Sequence, residues 1–200
     1  SKIYESAPNR CNVIANIEGT DTTRPGLVLH GHLDVVPVAA EEWSVDPFGA
    51  VIKDGAIWGR GAVDMKNMDA MILAIVRHWA RNGIKPPRNI VLAFFADEEA
   101  GSIYGSRWMA KEHPEVFANC NQAISECGGY SVTLANGKRI YMIETAEKGI
   151  NWMKLTAVGQ AGHGSFINNE NPVTRISEAV AKIGNYQWPQ TYTAAAKDLF

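Results

Sequence analysis

The chain has 200 residues, 46% of them apolar, with 19 Lys and Arg against 21 Asp and Glu. That is enough apolar material for one good core, or for one domain and part of another, and a formal charge of −2 excludes the basic footprint of a nucleic-acid binder or a polybasic membrane anchor. No apolar run approaches the roughly 18–20 residues of a membrane span and Ser1-Lys2-Ile3-Tyr4-Glu5 lacks a signal-peptide pattern, so the expected location is cytoplasmic and the expected partner a small molecule or another chain.

In chain order, residues 1–10 read as irregular, with a turn at Pro8-Asn9, and Cys11 to Ile17 as a first strand closed by Glu18-Gly19. The apolar run 27–33 is a buried strand that ends in His30-Gly31-His32 and is followed by Asp34. Residues 38–63, punctuated by Pro47, Gly49, Gly55, Gly59 and Gly61, form a long loop with a short hairpin about Asp54-Gly55. From Asp64 the period changes: Met65, Met68, Met71, Ile72, Ile75, Val76 and Trp79 fall at helical spacing as far as Asn82, and Gly83 stops the helix. Asn89 to Phe95 is a buried strand running into Asp97-Glu98-Glu99, Ser102 to Lys111 a helix, and Gln122 to Glu126 a short strand. Arg139 to Glu144 and Asn151 to Val158 read as further strands, Gly159 to Ser165 as a glycine-rich loop, and Pro172 to Ile183 as a helix. The β-α alternation predicts an α/β fold with a mostly parallel sheet, giving way near 147–151 to the opening of an α+β unit, so the expected domains are 1–148 and 149–200. Cys11, Cys120 and Cys127 are odd in number and lack Cys-x-x-Cys spacing, which leaves small buried or half-buried thiols rather than a disulfide framework or a thiolate zinc site.

The chemistry sits at the strand ends. His32, the pair Glu98-Glu99 and Glu126 each follow a buried strand, and Asp64 opens a helix; if the strands are parallel neighbours, these positions share one crevice. Several carboxylates and an imidazole on one floor repel as bare charges, and a divalent cation offsets that repulsion. Mixed nitrogen and oxygen donors suit zinc, with cobalt or manganese as substitutes. Taken singly, each residue has an ordinary role: His32 in a turn, Asp64 as a helix cap, Glu98 and Glu99 as first-turn acids. Their coincidence at the element ends of one α/β unit favours the site.

His32-Leu33-Asp34-Val35-Val36-Pro37, Trp43 through Pro47-Phe48, Gly59-Arg60-Gly61-Ala62-Val63-Asp64-Met65-Lys66, Asp97-Glu98-Glu99, Glu126-Cys127-Gly128-Gly129, Ala146-Glu147-Lys148-Gly149 and Gly162-His163-Gly164-Ser165 follow one another in this order. Together, over roughly residues 10–185, they resemble the di-zinc amidohydrolases and exopeptidases that include aminoacylase, acetylornithine deacetylase, succinyl-diaminopimelate desuccinylase and glutamate carboxypeptidase. The resemblance implies a zinc-exopeptidase-like catalytic domain, then a lid that mediates dimerisation. It implies two zinc ions bridged by Asp64, with His32 and Glu126 on one and Glu99 on the other, a cis peptide at Asp64–Met65, Glu98 as general base and Asp34 holding the imidazole of His32. His163 matches a lid histidine that in dimeric relatives reaches the partner's site and polarises the scissile carbonyl. Glu at position 126, where dipeptidases and aminopeptidases tend to carry Asp, is similar to the acylase and carboxypeptidase branch, so the implied substrate is a small peptide or an N-acyl amino acid.

The sequence departs from this pattern after the lid begins. His30, His32, His78, His113 and His163 are its histidines, and none follows a completed lid to supply the last ligand of the second zinc. The expectation is therefore a hydrolase whose 200-residue segment is weak or inactive alone. The competing expectation is a non-catalytic module that binds metal or peptide in the same crevice.

Overall fold

The computed structural model describes residues 1–126 and 131–199, in two compact units, Ser1–Cys127 and Gly128–Phe200. The first unit contains strands β1 (Lys2–Ala7), β2 (Arg10–Ile17), β3 (Gly26–His32), β4 (Val51–Lys53) and β5 (Ala56–Trp58), then helix α1 (Lys66–Asn82), strand β6 (Ile90–Phe95), helix α2 (Ser106–Glu112) and strand β7 (Cys120–Ile124). Its sheet has the order β1-β2-β6-β3-β7.

The expected mostly parallel sheet is mixed. β3 lies parallel to β6 and to β7, whereas β1 pairs with β2, and β2 with β6, antiparallel. The reason is the first ten residues, expected to be irregular: Pro8-Asn9, with Asn9 in the left-handed region at φ 62°, folds β1 back on β2 as a hairpin.

β6 is buried along its whole length, and its side chains alternate between two layers as a strand must. Ile90, Leu92 and Phe94 meet Ile72, Met68, Val76 and Trp79 of α1, while Val91, Ala93 and Phe95 pack with Ile14, Val28 and Met109 of α2. This explains the near-continuous apolar run of the β6 sequence. Helix α1 ends where expected, at Gly83 in the left-handed conformation, φ 62°. Helix α2 is shorter than the expected 102–111, because Gly101 and Ser102 take positive φ and form turns instead. β4 and β5 are the hairpin expected about Asp54-Gly55.

In the second unit, β8 (Ser131–Thr133) pairs with β9 (Arg139–Tyr141), and helices α3 (Pro172–Asn185) and α4 (Ala194–Leu199) follow. Asn171 caps α3 by accepting the Val173 N–H at 2.9 Å. The strand expected over 151–158 is not formed. A strand is stable only with a partner for its ladder, and β8–β9 is the pairing among the described residues of this unit. Cys127, Gly128 and Gly129 lie outside the described residues. No described helix is long and apolar enough to cross a membrane.

Candidate metal centre and active site

The chain runs from β3 through α1 to β6 on one side of β3, then through α2 to β7 on the other side. That reversal makes a crevice at the carboxyl end of β3, the place where open α/β sheets hold ligands. The sheet delivers His32 from the end of β3, opposite Phe95 at the end of β6. Glu98 and Glu99 follow β6, and Glu126 follows β7. Asp64 comes from the turn that precedes α1, and its peptide with Met65 is cis.

The His32 side chain is 2% exposed, and its Nε2 lies 3.0 Å from Asp64 Oδ1, 3.0 Å from Glu126 Oε2 and 3.9 Å from Glu98 Oε2. Ligand atoms of His32, Asp64 and Glu126 all fall within 4.8 Å of one another, as do those of His32, Glu98 and Glu99. Nδ1 is 2.9 Å from the backbone carbonyl of Asp34. A carbonyl only accepts, so Nδ1 carries a proton, and Nε2 offers a lone pair to two carboxylate oxygens. That contact is repulsive until a proton or a cation lies between them. Glu126 Oε2 is itself buried and lacks a hydrogen-bond partner among the described residues. One ring nitrogen, oriented by a carbonyl behind it, and two hard oxygen donors make a set that fits a divalent cation such as zinc.

The Asp34 carboxylate engages a different loop. The backbone N–H groups of Glu98 and Glu99 donate to its two oxygens at 3.0 Å each, while Oδ1 is 3.6 Å from His32 Nδ1. Asp34 thus orients the imidazole through its main chain and the Glu98-Glu99 pair through its side chain. Two residues that carried no role in the sequence reading hold this loop from behind. Asp97, buried and left-handed at φ 66°, accepts the Tyr104 N–H at 3.1 Å. Asn12, fully buried on β2, accepts the Ala96 N–H at 3.0 Å and donates to the Tyr104 carbonyl at 3.0 Å. Its signal in the sequence is a polar residue in phase with Ile14, the buried position of the same strand, whereas Arg10 and Asn16 are exposed.

The Asp64 turn is tied to β3 in the same manner. The His32 N–H donates to Met65 Sδ at 3.2 Å, and Lys66 Nζ donates to the Leu33 carbonyl at 2.7 Å. His163 belongs to the second unit, where its Nδ1 is 2.8 Å from Ser165 Oγ.

Burial, the largest influence on His32, lowers its pKa, but the Asp34 carbonyl, Asp64 and the charges of Glu126 and Glu98 outweigh it and raise the ring above its ordinary value. Burial, reinforced by neighbouring carboxylates and opposed by His32, raises Glu98, Glu99 and Glu126. The centre therefore holds protons more tightly than separate side chains do.

Residues 28–198 match Peptidase family M20/M25/M40. The chain belongs to this family. Among curated M20 relatives, aminoacylase-1 of Sus scrofa is 32% identical over 180 residues, covering 90% of this chain and 43% of its own length. Succinyl-diaminopimelate desuccinylase of Parvibaculum lavamentivorans is 36% identical over 181 residues with the same coverage. The chain thus spans less than half the length of the curated relatives it matches. An M20 metallo-carboxypeptidase from Sulfolobus solfataricus superposes with a TM-score of 0.50 at 27% identity, covering 64% of this chain and 29% of that one. Human carnosine dipeptidase 1 superposes with a TM-score of 0.54 at 23% identity, covering 65% of this chain and 32% of that one, a likeness of fold. These M20 relatives are named as hydrolases, and membership of a metallopeptidase family implies metal ions.

Proposed function

We propose that this chain carries the metal-binding part of a zinc-dependent hydrolase of amide or peptide bonds, of the carboxypeptidase or N-acyl-amino-acid deacylase type. The observation that supports it is the convergence of His32, Asp64 and Glu126 at the switch point of the sheet, beside a Glu98-Glu99 pair fixed by Asp34. In this reading His32, Asp64 and Glu126 hold one zinc, and Asp64 with Glu99 contributes to a second, which needs a further ligand. Residues 1–148 are the catalytic part and 149–200 the beginning of a lid.

Bound zinc supplies a water acidified towards ~7 and a polarised scissile carbonyl. Glu98 accepts the proton of the attacking water and returns it to the leaving amine, a role suited to a carboxylate raised by burial and acidic neighbours. Asp34 keeps Glu98 at the mouth of the crevice by holding its N–H. The Asp34 carbonyl keeps the proton of His32 on Nδ1 and leaves Nε2 free to ligate. His163 assists at the carbonyl from the lid, across a homodimer.

The test is zinc content per chain together with hydrolysis of a panel of N-acyl amino acids and dipeptides, by this chain and by Glu98→Ala. Zinc bound by both, with turnover confined to the unaltered chain, supports the reading. Equal turnover by both overturns the base assignment. Zinc without turnover in either is the outcome expected both of a binding module and of a hydrolase segment that is weak or inactive alone, and turnover in a chain of the relatives' full length would decide for the hydrolase.

A further inference from the structure

Asp69 has no place in the arrangement described so far. It lies in the first turn of α1, where an acid ordinarily faces water and favours the helix dipole. Here it is 7% exposed, and neither carboxylate oxygen has a hydrogen-bond partner among the described residues. Its Oδ1 occupies the place of a missing side chain: a Cβ built on Gly31 would sit 2.1 Å from Asp69 Oδ1 and 2.8 Å from Met65 Cε. Gly31 directly precedes His32, and Met65 directly follows Asp64. The carboxylate therefore lies against the backbone of Gly31 and beside the side chain of Met65, the sequence neighbours of those two residues.

A buried carboxylate without partners costs stability, and natural sequences keep such a group where it has a use. Burial raises Asp69, with Lys66 and His32 pulling it back, so the folded chain without a cation bears a net cost for this charge. A divalent ion in front of His32 and Asp64 would reverse the balance, because the charge behind the ligands then faces a cation across a poorly hydrated layer.

We propose that Asp69 is a positioning residue of the metal centre, a fixed outer charge that raises cation affinity at the expense of metal-free stability. The inference rests on the metal-centre reading above. Asp69→Asn keeps the shape and removes the charge. It should weaken zinc binding by about tenfold or more, within the range that outer partners of ligands command. The same substitution should raise the thermal midpoint of the metal-free chain.

The experiment is competition for zinc between the chain and a chromogenic chelator, paired with thermal melts in excess chelator, on the unaltered chain and on Asp69→Asn. Weaker binding with a higher metal-free midpoint supports the proposal. Unchanged affinity overturns it, because the charge then does nothing for the cation. A lower midpoint, or failure to fold, also overturns it, because Asp69 is then a packing element. If the unaltered chain itself binds no zinc, the metal-centre reading falls first. Cobalt absorption gives a second readout: the band position should persist in Asp69→Asn, since no ligand is lost, while the concentration needed to saturate it rises.

Discussion

Replacing Asp34 with Ala separates two ways in which an acid after the proposed metal-site histidine can act. Its carboxylate accepts two backbone N–H groups, from Glu98 and Glu99, at 3.0 Å each, whereas the contact to His32 Nδ1 at hydrogen-bond distance is made by the Asp34 carbonyl, which survives the substitution. Hydrogen bonds to a charged acceptor contribute about 1.5–3 kcal/mol each. Asp34 is about 29% exposed and Glu98 about 46%, so the freed N–H groups partly regain water and the lower end applies. The expected cost for Asp34→Ala is then about 2–3 kcal/mol, and for Asp34→Asn, which keeps one acceptor, about half of it. Urea unfolding gives the stability, and amide hydrogen exchange gives the location. Exchange at Glu98 and Glu99 should accelerate, while zinc affinity falls little because the orientation of His32 is kept. Unchanged protection of those two amides, or a stability loss below about 0.5 kcal/mol, would refute the reasoning. A large loss of zinc affinity without faster exchange would show that the carboxylate serves the imidazole instead.

Asn12→Leu should cost about 1–3 kcal/mol, because it leaves the buried Ala96 N–H without its acceptor, while the Tyr104 carbonyl keeps the Ser6 hydroxyl at 2.6 Å; an unfolding free energy within about 0.5 kcal/mol of the unaltered chain would contradict this. The acidic cluster and His32 should make the metal-free chain lose stability as pH rises, outweighing the opposite slope of His30, which burial lowers. Glu98, Glu99, Glu126 and Asp69 are raised in the folded state, so folding binds protons in the window above the ordinary carboxylate range, and the raised His32 extends the same slope upward from about 6.5. Each contribution is fully present below the unfolded pKa and is lost as pH climbs through the folded one. Melts from pH 4 to 8 in chelator should show the decline, and saturating zinc should flatten it. A rise in stability across that range without metal would contradict the assignment. Zinc at 100 times its dissociation constant should add about 2.7 kcal/mol.

The elements that bury a clear periodic face were legible in the sequence. The β6 run, the 3.6-residue spacing of α1 and the Gly83 stop are local signals, and the structure follows them. β1 was not legible, because Lys2–Ala7 alternates weakly and becomes a strand only by pairing with β2. The expected strand at 151–158 has the right composition, but composition does not supply a partner ladder. In the site, His32 and the Glu98-Glu99 pair were visible because each ends an apolar run, whereas Glu126 follows β7, which was expected to be buried and is half-buried to exposed. Asn12 and Asp69 were not singled out: the sequence marks Asn12 only as one polar residue in a strand, and its bridge between two loops is three-dimensional, as is the turning of the helix acid Asp69 away from water. The double duty of Asp34 was equally invisible, because sequence spacing does not distinguish a carboxylate contact from a carbonyl contact by the same residue.

The most direct test of the central claim is zinc affinity, by chelator competition, for the unaltered chain, His32→Ala and Glu98→Gln. If His32 is a ligand and Glu98 a base that does not ligate, His32→Ala loses affinity by more than about 100-fold, beyond what removal of an outer partner costs, while Glu98→Gln stays within about tenfold. Equal affinity of the unaltered chain and His32→Ala, or a loss in Glu98→Gln as large as that in His32→Ala, would contradict the account.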